Sequence, residues 1–211
     1  MKDHVKTKRA FTLIELLTVI AIIGVLVALL FPAIKSALTK AEATKAQHGV
    51  TDLATAFQHY YTEYGHWPVG DSITSNLTYI VDTNFVALLQ GLNNTASLTA
   101  LTSPTYPPPA PSTPTATSLL QGNPRGIHFL DIKQADFSPT LGFTDPWKQP
   151  YFCRFDVSYA NTVGNPFLPA SPGVNVNSGV LIWSAGPDGQ FDTGGDAPSP
   201  SPLNKDNIKN W

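Results

Sequence analysis

The sequence predicts an α+β fold in which one long N-terminal helix packs against a small antiparallel sheet. Residues 11–64 are continuously apolar in their first half and apolar on one face in their second half, as expected for one helix. Residues 151–159 and 179–185 have strand-like patterns, and the Gly/Asn/Pro-rich loop between them favours an antiparallel pair. A chain of 211 residues is long enough to bury one sizeable core.

Composition excludes several classes of protein. Only 13% of the residues are charged, whereas soluble domains average about 25%. The single cysteine, Cys153, excludes an intrachain disulfide and a thiolate zinc cluster. The net charge of −2 provides no basic surface for nucleic acid.

The N-terminus combines a basic leader with an apolar run. Residues 1–10 contain four basic side chains and one acidic side chain. The run Phe11–Ile34 follows, and its only polar side chains are Thr12, Glu15 and Thr18. A bilayer needs roughly 20 apolar residues in a helix, so this run can span one, and the basic leader places the N-terminus in the cytoplasm. It is longer than the apolar core of a secretory signal peptide, which has about 7–15 residues.

The stretch KRAFTLIELLTVIAIIGVL resembles the N-terminus of type IV pilin-like proteins, the prepilins and pseudopilins. The resemblance implies that a prepilin peptidase cuts between Ala10 and Phe11 and methylates the new amino group of Phe11. The family usually has Gly at the position of Ala10. It also implies that the mature helix inserts in the inner membrane and then polymerises.

Glu15 and Pro32 are the two unusual residues of the apolar run. A carboxylate inside a bilayer segment is costly unless it is paired. The resemblance implies that Glu15 attracts the α-amino group of Phe11 in a neighbouring subunit during assembly. Pro32 removes a backbone hydrogen bond, and two interpretations stay open: a simple kink, or the helix extension near a proline that the resemblance implies for assembled filaments.

The helix continues beyond Pro32 as an amphipathic segment, residues 35–64, and Gly65 and Pro68 end it. Its predicted apolar face consists of Val50, Leu53, Ala54, Phe57, Tyr61 and Tyr64. We therefore divide the chain into a leader, residues 1–10, a membrane and assembly helix, residues 11–34, the amphipathic segment, and a globular head, residues 65–211.

The head contains four further signals. Phe85, Leu88, Leu89 and Leu92 predict a short helix, and the Pro-rich residues 103–117 predict a loop or linker. Residues 126–132 predict a strand or an extended segment. In residues 151–159 the pattern places Tyr151, Cys153, Phe155, Val157 and Tyr159 on one face, with Arg154, Asp156 and Ser158 on the other.

The segment Ser184–Trp211 is rich in glycine and acidic residues after a strand. Ca²⁺ takes six to eight oxygen ligands from carboxylates and loop carbonyls. The segment resembles the calcium-binding C-terminal loop of the major pseudopilin of type II secretion, and residues 143–155 resemble the stretch before that protein's strands, with Lys148 in place of the usual Gly. The resemblance implies a calcium site with Asp188 and Asp196 as ligands, the Ala185 carbonyl as a backbone ligand, and Asp192 and Asp206 as further candidates. An acidic turn without metal is the alternative.

The sequence is thus interpreted as a structural protein, a pseudopilin of a periplasmic type II secretion pseudopilus. The alternative is a type IV pilus or DNA-uptake pilin, the one case in which nucleic acid would be a partner. Expected partners are prepilin peptidase, other pseudopilins, the inner-membrane assembly platform and the membrane. No catalytic set was found. A membrane-tethered binding module stays open as a third class.

Overall fold

A computed structural model describes residues 13–69, 77–92, 98–101, 117–120, 122–168, 175–192 and 201–211. The chain divides into two compact units, Met1–Ala41 and Glu42–Trp211. The helix α1 (Leu13–Tyr64) contributes residues to both. The architecture confirms the predicted α+β class, whereas the predicted helix start at Phe11 lies outside the described residues.

Helix α1 changes character along its length. In the first unit, all its described residues are exposed, and most of them are large and apolar. In the second unit, one face is buried, and its members are Ala46, Gly49, Val50, Leu53, Ala56, Phe57 and Tyr60. The helix ends at Tyr64 as predicted, because Gly65 adopts a φ of +73° and its N–H donates to the Tyr61 carbonyl at 2.8 Å.

The buried face of α1 differs from the predicted one. Tyr60, which the predicted face omits, is fully buried, whereas Ala54, Tyr61 and Tyr64 are only partly buried. Tyr60 packs with its ring centroid 5.7 Å from that of Phe129, and its hydroxyl donates to a backbone carbonyl at 2.9 Å. A tyrosine whose hydroxyl finds an acceptor is buried at little cost, and sequence periodicity does not reveal that acceptor.

A four-stranded antiparallel sheet packs against this face. Its strand order is β1-β6-β9-β10, with β1 at Tyr79–Ile80, β6 at Tyr151–Phe155, β9 at Val180–Ser184 and β10 at Ile208–Lys209. In the register, Cys153 lies opposite Tyr79 on one side and Ile182 on the other. The predicted antiparallel pairing of the two sequence-predicted strands is therefore confirmed.

The remaining elements are short. Helix α2 (Thr83–Leu89) confirms the predicted helical pattern, and the carboxylate of Asp82 caps it by accepting from two backbone N–H groups at 3.0 Å. Two-stranded pairs are formed by β2 (Leu98–Leu101) with β3 (Thr117–Leu120), β4 (Phe137–Ser138) with β5 (Gly142–Phe143), and β7 (Val163–Gly164) with β8 (Asn175–Val176). Single 3₁₀ turns lie at Gln134–Asp136 and Pro202–Asn204.

Strand β6 is shorter than predicted and buried on both faces. It ends at Phe155 because the carboxylate of Asp156 accepts from the backbone of Ser158 at 3.1 Å, and Tyr159 has a φ of +55°. The prediction of a polar second face was wrong: Phe152, on that face, is fully buried.

Three other predictions are resolved in part. Residues 126–132 form no strand, and Gly126 has a φ of +60°. Leu92 lies beyond the end of α2 and is 73% exposed. Of the Pro-rich residues 103–117, Thr117 begins β3 and the others lie outside the described residues.

The sheet separates two apolar clusters, because alternate residues of a strand point to opposite faces. The main core lies between α1, α2 and one face, where the ring centroid of Phe57 is 5.6 Å from that of Phe85 and 4.9 Å from that of Phe155. The other face carries an aromatic cluster, here called the outer cluster, formed by Phe152, Phe167, Trp183, Phe191 and Trp211.

Gly49 provides a test of how closely α1 approaches the sheet. A Cβ at this position would lie 2.2 Å from the hydroxyl oxygen of Tyr151. We expect Gly49→Ala to lower the free energy of unfolding by about 1–3 kcal/mol through overpacking, although Ala is the better helix former by about 1 kcal/mol. Thr51→Ala, at an exposed position of the same helix, is the control and should be neutral or slightly stabilising. Denaturant unfolding of the chain in detergent micelles measures both, and equal stability of the two variants would contradict this packing.

Candidate assembly helix and acidic loop

The first candidate site is the N-terminal part of α1. Among the described residues, α1 is the one helix long and apolar enough to cross a membrane. The most apolar 18-residue window of α1 has no buried residue, and apolar side chains such as Leu13, Leu29 and Phe31 are at least 71% exposed. Such a surface is stable only in lipid or against other apolar helices.

The predicted processing and assembly residues fall on this helix or just before it. Glu15 lies in the first described turn of α1, and its backbone carbonyl accepts from the hydroxyl of Thr18 at 3.0 Å. The helix is continuous through Pro32. Ala10 and Phe11 lie outside the described residues. The cleavage, methylation and pairing roles therefore stay predictions.

The second candidate site is the loop after β9, which is connected to the turn before β6 by a buried carboxylate. Asp145 is 1% exposed. Its Oδ1 accepts from the backbone of Trp147 and Gln149, both at 2.9 Å, and its Oδ2 accepts from the Ser184 hydroxyl at 2.6 Å. Ser184 Oγ in turn accepts from the Gly186 N–H at 3.0 Å. The strand-end serine thus fixes the start of the acidic loop, a role that the sequence analysis missed.

Lys148 lies in the same turn with a φ of +66°, a conformation that costs a residue with a side chain about 1–3 kcal/mol relative to Gly. Its Nζ donates to the Ala135 carbonyl at 2.6 Å. This hydrogen bond accounts for a lysine at the position where the resembled stretch has Gly.

Asp188 and Asp206 lie near each other in the acidic loop. The Asp188 backbone N–H lies 3.4 Å from Asp206 Oδ2, and Asp188 Oδ1 accepts from the Gln190 N–H at 2.8 Å. Burial, and then repulsion from Asp188, raise the pKa of Asp206 above its usual value. Gly186 has a φ of +72°, and a Cβ there would lie 2.5 Å from the Asp206 backbone oxygen. Glycine is therefore required at position 186, where the loop approaches the backbone of Asp206.

Oxygen atoms also converge on the side-chain amide of Asn207. In one orientation its Nδ2 donates to Asn204 Oδ1 at 3.1 Å. In the opposite orientation it donates to the carbonyls of Ala185 at 3.2 Å and Gln190 at 3.3 Å. The orientation of the Asn204 side-chain amide is fixed by Asp192. Asn204 Oδ1 accepts from the Asp192 N–H at 2.8 Å, and Asn204 Nδ2 donates to the Asp192 carbonyl at 2.9 Å. Either orientation of Asn207 therefore leaves oxygen facing oxygen.

The predicted calcium ligands carry oxygen donors, the type that the ion takes. Asp188, Asp206 and the Ala185 carbonyl belong to one loop region, whereas the side chain of Asp192 is exposed and Asp196 lies outside the described residues. Within the described part of the chain, no cluster of three or more His, Cys, Asp or Glu side chains is arranged to hold a metal. Calcium binding therefore stays a prediction.

Comparison with known proteins bears on the N-terminus. A family model described as the prokaryotic N-terminal methylation motif matches residues 5–31. The chain is 32% identical over 81 residues to the fimbrial protein EcpC of Eikenella corrodens, covering 38% of this chain and 52% of that protein. It is 38% identical over 61 residues to a type IV major pilin protein PilE1 of Neisseria gonorrhoeae, covering 29% of this chain and 37% of that protein.

A fimbrial protein of Neisseria meningitidis serogroup B (strain ATCC BAA-335 / MC58) is likewise 38% identical over 61 residues, or 29% of this chain and 36% of that protein. The chain thus spans between about a third and about half of the length of these relatives. No solved structure matches the chain. The chain therefore carries a prepilin-type methylation motif and is homologous over part of its length to type IV pilins.

The buried Asp145 makes stability depend on pH. Its pKa is raised from 3.8, chiefly by desolvation, and its hydrogen bond from Ser184 opposes that rise. Because the folded state binds the proton more tightly, the free energy of unfolding should fall as pH rises from 3.8 through the raised pKa. Asp145→Asn should remove this part of the pH dependence. Ser184→Ala should steepen it, since the opposing hydrogen bond is lost.

Urea unfolding at a series of acidic pH values measures both variants against the unmodified chain. Parallel pH profiles for all three proteins would contradict the assigned role of Asp145.

Proposed function

We propose that this chain is a structural subunit of a filament of the type IV class, and not an enzyme. The observation that carries the proposal is the exposed apolar part of α1, most of which lies within the methylation motif. A prepilin peptidase would remove residues 1–10 and methylate Phe11. The mature chain would then stay in the inner membrane through residues 11–34, with the head in the periplasm, until an assembly platform adds it to the filament.

Glu15 gives the apolar helix a polar contact that helix packing alone does not supply. A carboxylate in hydrocarbon is costly, and an opposite charge from a neighbouring subunit reduces that cost. Cleavage before Phe11 would create such a charge, the α-amino group, four residues away along the chain. We propose that Glu15 of one subunit pairs with the amino group of Phe11 of the next.

The type of filament is a separate question. Relatives named as fimbrial proteins and type IV major pilins favour a type IV pilus subunit, and a DNA-uptake pilus is the variant in which DNA would be a partner. A type II secretion pseudopilus is the second candidate. It is favoured by the acidic loop, in which two carboxylates and the carbonyls of Ala185 and Gln190 provide the oxygen donors that calcium takes.

Processing tests the proposal directly. Co-expression with a prepilin peptidase should give a mature chain that begins at Phe11 and carries one added methyl group, because the motif presents the Ala10–Phe11 bond at the cytoplasmic face of the membrane. Intact-mass spectrometry measures the terminus. A terminus at any other residue, or an uncut chain beside a correctly cut control prepilin, would contradict the proposal.

Substitution of Glu15 separates insertion from assembly. We expect Glu15→Ala to insert in the membrane at least as well as the unmodified chain, since a charge is removed from the apolar run, and to enter filaments poorly. Thr18→Ala, which removes a neutral polar group one turn away, is the control and should assemble normally. Membrane fractionation and filament shearing measure the two steps. Normal filament yield from Glu15→Ala would show that the pairing is not needed.

Calcium separates the two candidate filaments. If the loop binds Ca²⁺ through Asp188, Asp196 and Asp206, the ion should stabilise the chain by about 2.7 kcal/mol at a free concentration a hundredfold above its dissociation constant. Thermal unfolding in micelles, with millimolar Ca²⁺ or with chelator, measures this. Asp188→Ala should lose the response, whereas Asp131→Ala, whose side chain is 99% exposed elsewhere, should keep it. Identical melting in both buffers would remove the support for the pseudopilus and leave the filament proposal standing.

A further inference from the structure

A groove of about 620 Å³ lies in the head between one face of α1 and the end of the sheet. Helix α1 lines one wall with Gln47, Thr51, Thr55, Gln58 and His59, and the other wall includes Lys209, Asn210 and Trp211. Among the described residues, none of the processing residues and none of the candidate calcium ligands lines it. Its volume is within the range of about 300–1,000 Å³ that is typical of small-ligand sites.

The groove is polar without being strongly charged. None of the described residues that line it is acidic, and Lys209 and His59 are its basic residues. The Nζ of Lys209 lies 5.2 Å from the ring centroid of Phe167 and 5.6 Å from that of Trp211, so its charge is held over aromatic rings. One such cation does not make a site for a polyanion.

The hydrogen-bonding groups on the helix wall are hydroxyls and amides that can form further hydrogen bonds. The hydroxyls of Thr51 and Thr55 each donate to a backbone carbonyl one turn earlier at 2.9 Å, which leaves their oxygen lone pairs as acceptors in the groove. The amide of Gln58 is exposed and can both donate and accept. Acceptors of this kind suit a ligand rich in hydroxyl donors.

The opposite wall disfavours a peptide that would add a strand to the sheet. Beyond β10 the side chain of Asn210 completes the ladder itself: its Oδ1 accepts from the Ile182 N–H at 2.8 Å, and its Nδ2 donates to the Val180 carbonyl at 3.2 Å. The Lys209 carbonyl accepts from Gln47 Nε2 at 3.4 Å. Three of the backbone groups that a peptide strand would pair with at this edge, on Val180, Ile182 and Lys209, are therefore already engaged.

Trp211 gives the groove an aromatic wall. Its ring stacks on Phe167 with centroids 5.6 Å apart and planes at 21°, and it packs edge to face on Trp183 at 6.0 Å. The outer cluster thus holds the indole in a fixed orientation at the groove. Its Nε1 is buried and has no hydrogen-bond partner among the described residues, so the ring, and not this N–H, is what Trp211 offers to a ligand. A fixed aromatic ring beside hydroxyl and amide groups matches the apolar C–H face and polar rim of a sugar ring.

We propose that this groove binds a neutral oligosaccharide, with a sugar ring against Trp211 and its hydroxyls on Thr51, Thr55 and Gln58. The proposal does not depend on which filament the chain forms. It assigns the head a binding role in addition to any role in assembly.

The test uses the full chain in lauryldimethylamine oxide micelles, a detergent without a sugar headgroup. Maltotriose, cellotriose and triacetylchitotriose are the probes, and saturation-transfer difference NMR detects binding. At least one trisaccharide should bind. Trp211→Ala should weaken that binding at least tenfold, equivalent to about 1.4 kcal/mol. Trp147→Ala is the matched control, because Trp147 lies outside the groove, where its Nε1 donates to Glu42.

Gln58→Ala keeps the test decisive if Trp211→Ala fails to fold, because Gln58 is an exposed residue of α1. It should weaken binding several-fold at an unchanged melting temperature. Absence of binding by all three trisaccharides would overturn the proposal, as would equal binding by the Gln58 and Trp147 variants. Binding of dextran sulfate alone, lost in Lys209→Gln, would show an anion site instead. A Thr55→Trp variant that blocks filament formation while no sugar binds would show that a second copy of the chain occupies the groove.

Discussion

The structure depends on one constraint: the N-terminal half of α1 cannot remain in water. Sixteen large apolar side chains between Leu13 and Leu38 are at least 46% exposed. Burying each would contribute about 1.5–3 kcal/mol, so together they represent tens of kcal/mol, more than the whole stability of a typical domain of about 5–15 kcal/mol. In the proposed function, lipid would cover this surface in an isolated chain, and the helices of other copies would cover it in a filament. A subunit that moved between these two environments would exchange one apolar contact for another, and our proposal is that Glu15 favours the environment that offers a positive charge.

The same helix also builds the core of the head, and this dual use explains its composition. Along residues 13–34 every residue is exposed, and apolar side chains occupy all sides of the helix. From Ala46 onward, only the face toward the sheet is apolar, and Gly49 allows the backbone to approach Tyr151. The other face carries the threonines and amides of the groove. This division fits the proposed filament subunit, because one end of the helix would remain available to other copies while the other end holds a folded head.

The sequence predicted those parts of the fold that depend on local patterns. The apolar run, the end of α1 at Gly65, helix α2 and the pairing of β6 with β9 follow from periodicity and from glycine and proline positions. The sequence did not predict the outer cluster. Phe152 and Trp183 meet there across two strands, and the other members come from parts of the chain that are far apart in sequence: Phe167, Phe191 and Trp211. The Asn210 side chain that completes the sheet edge, and the Asp145–Ser184 hydrogen bond that fixes the acidic loop, are likewise long-range contacts. For the candidate sites, the N-terminal motif predicts processing between Ala10 and Phe11, which lie outside the described residues. The composition of the acidic loop could not predict which of its oxygen atoms lie close together.

The most direct test of the central claim is whether the exposed apolar side chains of α1 contact other copies. A photoreactive benzoylphenylalanine placed at Ile23, which is 53% exposed, reports what lies against the helix when filaments are irradiated. The account predicts a ladder of covalent multimers from sheared filaments, and monomers alone from the same variant diluted in micelles. Monomers alone from filaments, with normal labelling of the side chain, would contradict polymerisation through this helix.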